Sequence, residues 1–190
     1  MKKIISLLLA LVMLVAVFTG CGVKNDGGET TTEDVVLPAS ALEILENVWA
    51  LFGEEETFAI VGGDGEAVVA NAPAAATAEN LPYTVHVGLD QLDDIESAAS
   101  MMHALNSNSF TCGAIQVKDG VDAAAFANTA KDAVLSTQWL CGFPEKLVIA
   151  TIGEEYVVIA FGVNDIMSVF EKHFGTAYES ATVLVNEAIA

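Results

Sequence analysis

Cys141, in the stretch Trp139-Leu140-Cys141-Gly142-Phe143-Pro144, carries the side chain best suited to covalent chemistry in this sequence. A thiol that exchanges with disulfides needs a lowered pKa and a second thiol to resolve the mixed disulfide, most directly at Cys-x-x-Cys spacing. Here the second thiol is Cys112, nearly thirty residues upstream in Ser109-Phe110-Thr111-Cys112-Gly113-Ala114. A Cys112–Cys141 disulfide would close a loop worth about 3.5 kcal/mol on the chain-entropy account. Two buried, reduced thiols fit the same spacing, and a reactive Cys141 is the third reading. The spacing favours structure over chemistry.

The other reactive side chains form no recognisable constellation. His86, His103 and His173 lack the spacing of metal ligands, so no metal site is expected. Gly62-Gly63-Asp64-Gly65-Glu66 resembles one unit of a calcium-binding repeat, but such sites need stacked copies. A tight hairpin turn accounts for it. Glu54-Glu55-Glu56 reads as a solvated charge run. There is no nucleophile elbow, no phosphate loop and no cofactor motif. No catalytic residue is assigned.

The N-terminus is more informative. Lys2 and Lys3 precede the apolar run Ile4 to Phe18, which has the layout of an export signal and is short for a permanent span. Phe18-Thr19-Gly20-Cys21 follows, and it resembles the lipobox of bacterial lipoproteins, with Phe18 where that family usually carries an aliphatic residue. The resemblance implies cleavage before Cys21, lipidation of Cys21 and anchorage at the extracytoplasmic face of the cell membrane. The block from Ala98 to Gly162, with "MMHALNSNSFTCGAI", "QWLCGFPEKLVIA" and "YVVIAFG", is similar to small uncharacterised lipoproteins of low-GC Gram-positive bacteria. That likeness brings no activity and no functional residues with it.

Charge narrows the partners. The chain has 26 acidic and seven basic residues, a formal net charge of −19, and no arginine. All the acids follow Cys21 and two of the basic residues precede it. A chain cut there carries five cations against 26 acids, a formal −21. Such a chain cannot neutralise phosphates, which excludes nucleic acid as a partner. The expected partners are the membrane, through the N-terminal lipid, and an envelope protein or wall ligand.

Three segments follow: residues 1–20 as signal, 21–37 as the lipidated cysteine and a polar tether, and 38–190 as one domain. Ser40-Ala41-Leu42-Glu43 is a capping box opening a helix with Ile44, Leu45, Val48, Trp49 and Phe52 on one face, ended at Gly53. Thr57–Val61 and Glu66–Ala70 read as short strands, and so does the alternating Tyr83–Val87. Asp90 is placed to cap a helix running through Leu92, Ile95, Ala98, Ala99, Met102 and Leu105. Phe110–Val117 reads as a strand and Asp122 onward as a helix. Lys146–Ile152 and Tyr156–Gly162 form a hairpin whose near-continuous apolar runs predict cover on both faces. Asn164 or Asp165 caps a last helix ended at Gly175, and the tail from Thr176 is a helix or a strand. The expected fold is α+β: a mostly antiparallel sheet packed with helices in a single compact domain.

Without a catalytic constellation, the reading carried forward is a non-catalytic binding or accessory module of the cell envelope, with Trp139 and Phe143 as its candidate binding surface. The alternative is an envelope thiol redox enzyme using Cys112 and Cys141.

Overall fold

Antiparallel strands dominate, as the hairpin of Lys146–Ile152 and Tyr156–Gly162 foretells. The structure is a computed structural model that describes residues 37–64 and 68–189. Cys21, the expected signal, the tether up to residue 36 and the Gly65-Glu66 part of the turn lie outside the described residues.

The helices are α1 (Ala41–Trp49), α2 (Leu81–Thr84), α3 (Ala123–Leu135) and α4 (Asn164–Ala177). The strands are β1 (Ile60–Gly62), β2 (Val69–Ala70), β3 (Ala74–Ala76), β4 (Ile95–His103), β5 (Phe110–Val117), β6 (Lys146–Ile152), β7 (Tyr156–Gly162) and β8 (Thr182–Ala188). They form one sheet in the order β2-β1-β4-β5-β7-β6-β8. β3 pairs with β4 further along the strand edge that β1 uses, and every described pairing is antiparallel. The fold is a compact α+β domain, as expected.

Helices cover both faces of the sheet. Strand side chains alternate between faces, so Phe110, Cys112 and Ala114 of β5 and Tyr156, Val158 and Ala160 of β7 meet α1 and α4. Ile115 and Val117, with Val157, Ile159 and Phe161, meet α3 and the Leu81–Val87 segment. All seven residues of β7 are buried. Each fully buried Ile, Val or Phe contributes about 1.5–3 kcal/mol, so these two layers dominate the stability of the domain.

The start of α1 follows its capping residues. Ser40 Oγ accepts from Glu43 N–H at 3.1 Å, while the Glu43 carboxylate reaches back to Ala39 N–H at 2.7 Å. α3 is capped by Asp122, whose Oδ1 accepts from Ala124 and Ala125 N–H.

Several expectations are corrected. The helix expected from Asp90 is a 3-10 turn over Leu89–Asp94 followed by β4, and Ile95, Ala98, Ala99 and Met102 belong to a strand. β4 is paired along both edges and covered on both faces, and long-range pairing outweighs the helical preference of an Ala- and Met-rich segment. Tyr83–Val87 is not a strand: the chain makes the short α2 and then turns at His86, whose φ is 61°. Val85 and Val87 are both buried, which produced the alternation without the pairing.

Helix ends also differ. α1 ends at Trp49 with Ala50 as its cap, ahead of Gly53, and α4 runs through Gly175 to Ala177. Val163 occupies the N-cap of α4, and the orphan Asn164 N–H is satisfied from outside by the Glu145 carboxylate at 2.8 Å. The tail forms β8, an edge strand with a register shift opposite Ile149 and Ala150.

The sheet has two unlike ends. At one, Leu37 lies against Gly153 in the β6–β7 turn, and Asp119, Asp122, Glu154 and Glu155 line a cavity with that glycine. This is the acidic end, where the described residues begin. At the other end stand the β4–β5 turn and the loop between α3 and β6.

Candidate functional site

The loop Ser136–Glu145 brings the α3 chain back to β6 and contains every residue of the Trp139–Pro144 stretch. Trp139 is half-buried. Its ring lies 5.3 Å from Phe161 and meets His86 edge-on at 4.8 Å. The indole Nε1 is buried and has no hydrogen-bond partner. Trp139 is therefore the floor of this region, wedged between β7 and the turn at His86. Burial lowers the His86 pKa below its ordinary value, so the ring that meets Trp139 is neutral near pH 7.

Beyond Trp139 the loop turns outward. Leu140 is 87 % exposed and Phe143 72 %, and Cys141 is also exposed, while Pro144 is buried. The neighbouring β4–β5 turn presents Leu105 at 88 % exposure. Asn108 ties the two loops together, its Nδ2 donating to the Gly142 carbonyl at 3.1 Å and the Cys141 carbonyl at 3.4 Å. The turn is itself braced. His103 Nδ1 accepts from Leu105 N–H at 3.1 Å, and Asn106 Oδ1 accepts from Asn108 N–H at 3.1 Å. Three large apolar side chains thus project from two cross-linked loops at the end opposite Leu37. Sequence reading picked out Phe143 and Trp139 but not Leu105 or Leu140, because the register of β4 with β5 is what brings the two loops together.

The two thiols occupy different environments. Cys112 lies in the middle of β5, fully buried under α1 and α4, and burial pushes its pKa well above the ordinary thiol range. Cys141 is on the exposed loop, and both are free thiols. The structure therefore holds no Cys112–Cys141 disulfide. The core packing that shields Cys112 keeps it out of reach of a loop at the rim. A redox pair needs one thiolate to attack and the other thiol to resolve, and Cys112 is placed for neither.

The histidines are dispersed. His103 stacks on Phe58 at 5.1 Å, and His173 Nε2 lies 2.7 Å from a Glu56 carboxylate oxygen. Among the described residues no three of His, Cys, Asp and Glu converge as metal ligands. Glu56 differs from the solvated run expected of Glu54–Glu56. Gly53 N–H, then His173, then Lys172 hold its carboxylate, and together they lower its pKa to about 2. The contact pins the 53–57 loop to α4. No local signal in the sequence marks a bond between residues so far apart.

A cavity of about 660 Å³ lies at the acidic end, between the start of α3 and the β6–β7 turn. Asp119, Asp122, Glu154 and Glu155 line it with Lys118, whose ammonium donates to the Asp93 carbonyl at 2.7 Å. Thr151 lines it as well. The chain matches no protein-family model, no curated protein and no solved structure.

Proposed function

We propose that this chain is a membrane-tethered extracytoplasmic lipoprotein whose domain acts as a non-catalytic binding or accessory module of the cell envelope. One observation carries the binding reading: Leu105, Leu140 and Phe143 stand exposed on loops locked together by Asn108, at the opposite end of the sheet from Leu37. Exposed apolar side chains that cluster on a braced surface mark interaction sites. A domain held through Leu37 leaves that end free to meet an envelope protein or a wall component. The lipoprotein reading rests on the Lys2-Lys3, Ile4–Phe18 and Thr19-Gly20-Cys21 pattern. The redox alternative is disfavoured by the depth of Cys112.

Two measurements test the proposal. Intact mass of the chain recovered from membranes should show an N-terminal diacylated Cys21, and a Cys21→Ala variant should leave the membrane fraction. A photo-crosslinking residue at Phe143 should give discrete adducts in intact cells, lost on Leu140→Ser, while the same residue at Glu155 gives none. Equal crosslinking from the two ends would sink the binding assignment.

A further inference from the structure

We infer that the groove between α4 and the outer edge of β8 binds an extended peptide segment of another protein, adding it as a strand and receiving one lysine or arginine side chain in the adjoining cavity. This surface is separate from the Leu105–Phe143 end.

β8 is the last strand of the sheet. Its inner edge pairs with β6, and among the described residues nothing pairs with its outer edge. Natural sheets usually blunt such an edge with charge, proline or extreme shortness. The first half of β8, Thr182-Val183-Leu184-Val185, has no charge and no proline; its one irregularity is the register shift against β6 at Leu184, and Val183 is 52 % and Leu184 38 % exposed.

A cavity of about 180 Å³ opens beside this half-strand, against the last turns of α4. Its floor is apolar, formed by Val148, Phe174 and Tyr178, and its polar wall carries the Glu171 and Glu179 carboxylates. Glu171 is fixed from within by Lys146 and by Asn186 Nδ2, which donates to it at 2.8 Å. Glu179 makes no ion pair among the described residues. A long aliphatic stem laid on the two rings would place its cation at the Glu179 carboxylate, Glu171 being already paired with Lys146.

Gly175 points to an incoming chain. It lies inside α4 on the wall of the cavity, where glycine weakens a helix relative to alanine. A Cβ built there meets no atom within 4 Å, so the fold itself does not require glycine at this position. Its effect is to keep the groove clear. An edge strand beside a helix with a side-chain pocket between them is the arrangement in which main-chain bonds give affinity and alternate pockets give specificity. The net charge of −19 selects a basic partner.

The test uses the full chain in mild detergent and a fluorescein-labelled heptapeptide of alternating valine and lysine, read by anisotropy. Saturable binding is expected, with the valine–glutamate analogue weaker by about tenfold or more. Gly175→Leu fills the groove without changing charge and favours the helix, so the same loss is expected from a folded variant. N-methylating alternate amides on one edge of the peptide should abolish binding, and on the other edge should not. Two outcomes overturn the inference. Binding unchanged in Gly175→Leu would reduce the effect to diffuse attraction by a polyanion, and self-association competing with the peptide would assign the edge to a second copy of this chain.

Discussion

Trp139 and Cys141 are two residues apart and have opposite surroundings, and each makes a measurable difference. The Trp139 ring fills space between Phe161 and His86, but its indole N–H is buried without an acceptor. An unsatisfied buried donor costs about 1–3 kcal/mol, and removing a large aromatic costs about 3–5 kcal/mol. Trp139→Phe should therefore unfold within about 1 kcal/mol of the parent in urea, since the lost packing is offset by the lost orphan donor. Trp139→Ala should lose about 3 kcal/mol or more. A Trp139→Phe variant as damaged as the alanine variant would mean that Nε1 has a partner after all. For the thiols, a chromogenic disulfide reagent at neutral pH should modify Cys141 quickly in the folded chain and Cys112 only on unfolding, because a fully buried thiol is neither ionised nor reachable. Rapid modification of both would restore the redox reading.

At the scale of elements, α4 shows what a helix gives up. Gly175 has open space where a Cβ would go, so Gly175→Ala should stabilise the domain by about 0.5–1 kcal/mol in chemical denaturation. A destabilised alanine variant would show that the neighbouring wall is closer packed than the structure shows. The same contrast between local preference and tertiary use decided which elements were legible in the sequence. β6 and β7 announce themselves, because strands covered on both faces need unbroken apolar runs. α1 and α3 do so through Ser40 and Asp122, whose side chains cap them. β4 does not: its Ala98, Ala99 and Ser100 are small where β3 and the covering layers press close, and small residues carry helical propensity and no alternation. The turn at His86 likewise depends on a left-handed residue that histidine tolerates better than most, and nothing in the local pattern marks it. The exposed end was half legible. Phe143 stood out by type, whereas Leu105 and Leu140 joined it only through the Asn108 cross-link.

Over the whole molecule, the excess of acids makes stability a matter of pH, and two groups set the windows on the acid side. Burial holds the His86 pKa down, so the folded state binds a proton there less readily than the unfolded chain does. Its contribution is complete above the unfolded value near 6.5 and is lost as pH falls below it. Glu56 titrates at about 2 in the folded state against an ordinary 4.5, held by Gly53 N–H, His173 and Lys172. Its contribution is present above about 4.5 and disappears as pH falls from there towards 2. Between these windows a third effect opposes them, since protonating surface carboxylates relieves the self-repulsion of a chain with a formal charge of −19. Thermal unfolding should therefore show a first loss of Tm below about pH 6.5 that His86→Asn, which keeps the left-handed turn, removes. A second loss below about pH 4.5 should be removed by Glu56→Gln, at the expense of a lower Tm at neutral pH. Added salt at pH 7 should raise Tm by screening the acidic end, and should do so less at pH 4, where fewer charges remain. If Glu56→Gln left the acid limb unchanged, the anchor between the 53–57 loop and α4 would contribute nothing to folding, and the loss would belong to other groups paired in the folded chain.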